Sequence, residues 1–244
     1  MLSQHRREDV CNRILRALPA GVFEKVSPHL EAISLRPGQV LYQPGASVGR
    51  IYFINNGLVA LIKTMRDGRS AMVGSRGIEG ITTPGTVFGA VPTRVECIVQ
   101  ISGSAYSINL RVLRDLVAEF PLLRRLILEY GGLVVEQFVQ ISACNRLHTL
   151  EQRYAQLLLT AYDNVASDSF VLTQQFLAMT LGVQRPRISV LAGSFQTAGL
   201  ISYKHGRMTI SNPSDLKKMS CECYEASRRR IGQIFRNGAA PRPP

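Results

Sequence analysis

Residues 174–191, QQFLAMTLGVQRPRISVL, constrain this chain more than any other stretch. Leu177, Leu181, Val183, Ile188 and Leu191 are apolar at the spacing of two short helices packed at a fixed angle. Small Ala178 lets the second helix approach the first. Gly182 can adopt the left-handed conformation of a tight turn without a Cβ penalty. The segment therefore reads as a helix-turn-helix. Gln184, Arg185, Arg187 and Ser189 open its second helix, the one such a motif lays in a DNA major groove.

Charge in the same region agrees. No carboxylate occurs between Asp168 and Asp215, whereas Arg185, Arg187, Lys204 and Arg207 all fall inside. A duplex is a dense line of phosphates, so an acid-free basic face suits its approach. Residues 198–201 (AGLI) lead into 202–210 (SYKHGRMTI), which reads as strand, Gly turn, strand: a small wing with a basic tip. A plain helical hairpin would explain neither the missing acids nor the wing.

The net charge of +12 points to nucleic acid or an anionic membrane surface. No apolar run is long enough to span a bilayer, and the charged start MLSQHRREDVCNRI lacks a signal-peptide core, so a cytoplasmic protein is expected. Residues 1–145 carry a net +5 and residues 146–244 a net +7, so the C-terminal part is the more basic per residue. Five scattered cysteines, Cys11, Cys97, Cys144, Cys221 and Cys223, do not form a disulfide framework.

Upstream, Asp9–Ala17 and Gly21–Leu30 read as two short helices. Between Ile33 and Asn109, apolar runs alternate with Gly and Pro: Gln39–Tyr42, Arg50–Asn55, Leu58–Met65, Arg69–Val73, Glu96–Ile101 and Ala105–Asn109. Gly57 and Gly103 are among the turn marks, and Asp67-Gly68 suggests a type I′ hairpin. Many short strands at this spacing mean a sandwich or jelly roll. Arg111–Glu119 is helical, and Pro121 opens a longer helix to about Cys144, with Gly131-Gly132 marking a kink or a close approach. Leu123, Ile127, Tyr130, Val134 and Ile141 form one stripe on it, suited to a coiled-coil-like dimer seam or to packing on the chain's own barrel. A further helix, Thr149–Tyr162, leads into the helix-turn-helix.

Helix pair, jelly roll, long helix and winged helix, in this order, resemble the Crp/Fnr family of bacterial transcription regulators. The resemblance spans about Asn12 to Tyr224. It rests on Leu35-Arg36-Pro37-Gly38, on Tyr52–Gly57, on RLHTLEQR at 146–153, and on the helix-turn-helix with its Ala-Gly-Leu-Ile exit. It implies an α+β fold with a cyclic-nucleotide-binding-like sensor jelly roll at 1–120 and a dimerisation helix at 121–145. A winged helix-turn-helix is implied at 146–224, while composition alone makes 225–244 a basic, disordered tail. It also implies a homodimer on a near-palindromic promoter, with double-stranded DNA and RNA polymerase as partners and no membrane.

Family members that bind cyclic AMP use a Gly-Glu pair and an Arg-Ser or Arg-Thr pair. Here Thr82-Thr83 and Thr93-Arg94 stand at those places, so the ribose-gripping carboxylate is missing. The effector pocket at Thr82, Thr83, Thr93 and Arg94 is therefore expected to take something other than cyclic AMP, though Arg94 suits an anion. An iron–sulfur cluster of the family type needs N-terminal thiolates, and only Cys11 is there. No haem ligand stands out among His5, His29, His148 and His205. Cys221-x-Cys223 reads as a redox switch, part of a metal site, or two packing thiols. No other ligand is near it in sequence, and no metal or cofactor is expected.

On this reading Arg185 reads a base, since guanidinium to guanine is the commonest specific contact. Gln184 and Ser189 reach bases or phosphates. Thr173, Lys204 and Arg207 meet phosphates, and Arg187 meets a phosphate or packs away from the groove. Pro186 and Val190 replace the family's usual Glu and Arg, so the recognised sequence should differ from that of the cyclic-AMP receptor protein. A rival class is a cyclic-nucleotide-binding signalling subunit whose C-terminal module binds protein. An enzyme is not expected, because no catalytic constellation stands out.

Overall fold

The computed structural model describes residues 7–89 and 92–235. Two short helices, α1 (Arg13–Arg16) and α2 (Ala20–Val26), precede an antiparallel sheet. Its strands are β1 (Glu31–Leu35), β2 (Val40–Tyr42), β3 (Arg50–Thr64), β4 (Ser70–Arg76) and β5 (Glu96–Asn109), with the short helix α3 (Pro84–Phe88) before β5. The order is β1-β5-β3-β4, and β2 also pairs with β5. Then come α4 (Leu110–Glu119) and the 27-residue α5 (Pro121–Leu147), which runs unbroken through Gly131-Gly132. Gly131 faces Pro84 of α3, where an added Cβ would sit 3.9 Å from the proline ring.

Two expected strand pairs are single long strands. Arg50–Asn55 and Leu58–Met65 join as β3, and Glu96–Ile101 and Ala105–Asn109 join as β5. Gly57 and Gly103 are not turns. They sit where the two strands bend past each other, with register shifts between Ile54 and Val59. A Cβ on Gly57 would stand 2.7 Å from the Ile101 carbonyl oxygen, and one on Gly103 would stand 1.9 Å from that of Asn56. A glycine at such a crossing marks a bulge.

The β3–β4 hairpin also differs from expectation. Met65 N–H donates to the Arg69 carbonyl, and Gly68 N–H to the Met65 carbonyl. Gly68 has φ +83° while Asp67 stays at negative φ. This is a three-residue loop with a glycine in the left-handed position, not a type I′ turn.

The C-terminal half begins with α6 (Leu150–Asp163), opened by a capping box between Thr149 and Gln152. It continues through β6 (Ser169–Val171), α7 (Gln174–Leu181), α8 (Arg185–Thr197), β7 (Ile201–Lys204) and β8 (Arg207–Ile210). The strands form a second sheet in the order β6-β8-β7. Helices α9 (Pro213–Met219) and α10 (Glu222–Ile234) complete the described chain.

Two hydrophobic cores meet on β3. Val59 and Leu61 face the sensor core, whereas Leu58, Ala60 and Ile62 join the core of the C-terminal half with Ile101, Leu158 and Phe176. The uninterrupted run at 58–62 is therefore a strand buried on both faces, which is what such a run means. Asn164 secures this docking: its Oδ1 accepts from Ile78 N–H at 2.8 Å, and its carbonyl accepts from Gly57 N–H at 2.7 Å.

Two further expectations need correction. The stripe assigned to a dimer seam faces inward: Leu123, Ile127, Tyr130 and Val134 are buried in the sensor core, and Ile141 is half-buried. Of the two readings open for that stripe, packing on the chain's own barrel is the one realised. The outward apolar residues of α5 are Leu128, Val135 and Val139, with exposed Gly132 between, and Leu147 at the helix end. The other correction concerns the basic tail expected at 225–244. Its first ten residues belong to α10, which returns to the sensor core through Ile231, Ile234 and Phe235. Arg230 clasps Glu136 of α5 with two hydrogen bonds of 2.6 and 3.0 Å. Residues 236–244 lie outside the described residues.

Candidate nucleic-acid interface

Helices α7 and α8 are joined by Gly182 at φ +69°, as the turn requires. Ala178 is buried between them with Leu177, Leu181, Ile188 and Leu191. Thr173 caps α7 by accepting from Phe176 N–H at 3.2 Å, which leaves its hydroxyl proton free at the surface. Arg153 of α6 donates to the Leu181 carbonyl at 2.9 Å, placing a cation at the C-terminal end of α7.

Helix α8 starts at Gln184, whose side chain makes no cap hydrogen bond, and its first turn holds no acidic residue. Gln184, Arg185, Arg187 and Ser189 are all exposed there. The helix thus presents the positive end of its dipole and two exposed guanidiniums in its first turn. Ser189 Oγ lies 3.2 Å from Gln174 Oε1, so it ties α8 to α7 as well as reaching outward.

The wing is a two-residue hairpin: Lys204 pairs with Arg207, and His205 (φ 50°) with Gly206 (φ 79°) supply the turn. Both central residues at positive φ define a type I′ turn, so that geometry occurs here rather than at Asp67-Gly68. Lys204 and Arg207 are exposed on its tip. The wing is fixed to the helices by Tyr203, whose N–H donates to Gln196 Oε1 at 2.7 Å and whose hydroxyl donates to the Leu172 carbonyl at 2.9 Å. Burial raises the Tyr203 phenol above its ordinary pKa, and the nearby Arg185 charge opposes that rise. Arg185 therefore stands within electrostatic reach of the wing. Thr173, Gln184, Arg185, Arg187, Ser189, Lys204 and Arg207 all lie on the surface of one small module. The bracing by Gln196 and Tyr203 escapes sequence reasoning, because no spacing links them.

The expected effector cassette is more closed. Thr82 is buried, with its hydroxyl 2.8 Å from that of Tyr42. Thr83 precedes α3 as its N-cap residue. The Thr93 hydroxyl donates to the Val95 carbonyl at 2.9 Å, and Arg94 is exposed. The Tyr130 ring of α5 packs directly on Gly80, where a Cβ would approach it to 2.1 Å.

The larger opening lies elsewhere. A cleft of about 670 Å³ separates the sensor from α5, α6 and α10, with Arg13, Arg76, Glu79, Glu136 and Arg153 on its walls. Arg76 is buried there with its guanidinium 5.6 Å from the Phe138 ring centre. Burial, the main influence, lowers the pKa of Arg13.

At one end of this cleft the structure gathers four residues that sequence spacing had left apart. Cys144 and His148 close α5, and Cys221 and Cys223 open α10. All three thiols are buried, and burial is the main cause raising the pKa of Cys144 and Cys221. Cys11 and Cys97 stand apart from this group; burial pushes the Cys97 thiol up to about 12.

A sensor sheet packed on a winged helix through a long helix is the architecture of a DNA-binding transcription regulator. Residues 32–120 match the cyclic nucleotide-binding domain, and residues 152–219 match the Crp-like helix-turn-helix domain. The chain belongs to the Crp/Fnr family of transcription regulators. It is 25% identical over 195 residues to the HTH-type transcriptional regulator Cmr of Mycobacterium tuberculosis, covering 77% of this chain and 75% of that one. Among solved structures it resembles FixK2 of Bradyrhizobium japonicum, with a TM-score of 0.66 and 15% identity over 79% of this chain and 98% of that one. It also resembles CLP, the c-di-GMP responsive global regulator of Xanthomonas campestris, with a TM-score of 0.58 and 17% identity over 80% of this chain and all of that one. These structural likenesses carry the fold. Among the described residues, no helix is long and apolar enough to cross a membrane.

Proposed function

We propose that the protein acts as a homodimer on a near-palindromic duplex site, with α8 in the major groove and the wing on the flanking backbone. The supporting observation is the start of α8: an acid-free first turn carrying exposed Gln184, Arg185 and Arg187 beside the basic wing tip. Arg185 is the base-reading residue, and Thr173, Arg187, Lys204 and Arg207 meet phosphates. Gln184 reaches a base edge, and Ser189 positions α8 against α7 through Gln174. The dimer forms along the outward stripe of α5, Leu128, Gly132, Val135 and Val139, since these residues repeat on one face and touch no core of their own chain.

The signal that controls binding is not cyclic AMP. The Thr82 and Thr93 hydroxyls are engaged within the chain, Tyr130 occupies the space over Gly80, and no carboxylate stands at the ribose-gripping place. Control works through the docking of α6 on the sensor at Asn164, where a shift of 1–3 kcal/mol in coupling, roughly the usual range, would reorient the winged helix. The protein is not expected to turn over a substrate.

The test is selection of bound duplexes from a random library by the purified full-length chain, with and without cyclic AMP. Enrichment of inverted repeats, unchanged by cyclic AMP, is expected. Recovery of no shared sequence would overturn the DNA-reading assignment, and a cyclic-AMP-dependent enrichment would overturn the assignment of the signal.

A further inference from the structure

We propose that Cys144, His148, Cys221 and Cys223 form a closed tetrahedral site for a single thiophilic divalent ion, of which zinc is the natural fit. The four donor atoms all lie within 4.8 Å of one another. Cys144 Sγ and Cys221 Sγ are 3.7 Å apart, and Cys223 Sγ and His148 Nδ1 are 3.4 Å apart. A tetrahedron with Zn–S of about 2.3 Å and Zn–N of about 2.0 Å has edges of roughly 3.5–3.8 Å. The Cys144–Cys221 and Cys223–His148 edges are close to these lengths. A disulfide needs sulfurs at about 2.05 Å, so Cys144 and Cys221 are free thiols at a spacing that two ligands of one ion can share. A four-iron cluster would have to spread the thiolates around a cube and would not fit donors this close.

Burial holds the metal-free thiols neutral, and a bound cation is what would draw off their protons. The three thiols make a small cluster of their own, shut away from solvent. Gln140 Nε2 donates to Cys223 Sγ at 2.9 Å, the kind of N–H contact that a metal-bound thiolate accepts. The Cys144 and Cys221 thiols both donate to Gln156 Oε1, at 3.3 and 3.2 Å. Turned about its last bond, the same amide would aim its NH₂ at both sulfurs. Three cysteines and one histidine, with no open position, is a ligand set of structural rather than catalytic zinc.

The location gives the ion a task. His148 is the residue at which α5 ends, and Thr149 caps α6, so the pair Cys144–His148 flanks the hinge between the long helix and the winged helix. Cys221 and Cys223 begin α10, which runs back along α5 to the sensor core. An ion held by all four clamps the hinge to the returning helix. It restricts the relative motion of sensor and DNA-binding module, and it connects the control proposed for this protein to metal supply. The ligand geometry does not depend on the DNA-reading assignment, so the experiment below addresses metal binding alone.

The reduced, chelator-stripped full-length protein is titrated anaerobically with Co²⁺ as an optical probe. One equivalent per chain is expected, with tetrahedral ligand-field bands and thiolate-to-cobalt charge transfer that Zn²⁺ then abolishes. His148→Ala, at a half-buried position, should fold and bind Co²⁺ more weakly by about 10-fold or more, and His148→Cys should restore tight binding with a shifted spectrum. Cys223→Ser should lose the charge-transfer band in part, whereas Cys11→Ser should leave the titration unchanged. Absence of thiolate–cobalt absorption in the folded wild-type chain would overturn the proposal. So would an iron–sulfur chromophore ligated by these cysteines, or a His148→Ala titration identical to wild type.

Discussion

At the scale of single residues, the module separates contacts that read from contacts that hold. Arg185 stands at the exposed start of α8, while Lys204 sits on the wing tip. Arg185→Ala should cost roughly 1–3 kcal/mol on the selected duplex and relax one base position. Lys204→Ala should weaken every duplex similarly and reduce the salt slope by about one unit. Titrations on the selected and a scrambled duplex at several salt concentrations check both. Equal loss on both duplexes for Arg185→Ala, or an unchanged slope for Lys204→Ala, would contradict these roles. Residue chemistry is also where the sequence is most and least readable. Gly182 announces its turn because only the left-handed conformation suits that corner. Gly57 and Gly103 look the same on paper, yet they answer to a strand crossing that no local pattern encodes. Asp67-Gly68 and His205-Gly206 make the same point. The stronger type I′ signal lies at the first, and the type I′ turn forms at the second, where a two-residue loop fits the Lys204–Arg207 pairing.

At the scale of elements, helices were legible and partners were not. The spans of α4, α5, α6, α7 and α8 follow from periodicity and caps such as Thr149 and Thr173. Which side of α5 meets which neighbour does not follow, because an inward and an outward apolar stripe have the same period. The Leu123–Val134 stripe serves the chain's own core, leaving Leu128, Val135 and Val139 outside. Val139 is 66% exposed, so Val139→Glu should leave the monomer fold intact while placing like charges together at the two-fold seam. Sedimentation should show monomers at concentrations where wild type is dimeric, and DNA affinity should fall by roughly 100-fold through lost avidity. Wild-type behaviour of this variant would place the dimer contact elsewhere. The helical character of α10 was missed for a related reason. Its arginines suggest a solvated tail, but Ile231, Ile234 and Phe235 recur on the face that meets the sensor, and Arg230 finds Glu136.

At the scale of the whole molecule, the two halves meet at the doubly buried segment at 58–62 of β3, with Asn164 docked beside it, and again where α10 packs on the sensor core. Its apolar run was visible in the sequence, and a strand with both faces covered is the physical reading of such a run. The four-residue Cys/His cluster was not visible, since its members are separated by up to 79 positions and come together only when α10 returns to α5. Sensor, hinge and DNA-binding module are thus packed continuously, the contact through which the proposed control would reach α8. The central claim is that two copies of this module read one duplex together. Hydroxyl-radical footprinting of the full-length protein on its selected duplex tests that most directly. Two protected patches one helical turn apart, about 34–36 Å, are predicted. A single patch, or uniform protection without position, would contradict it.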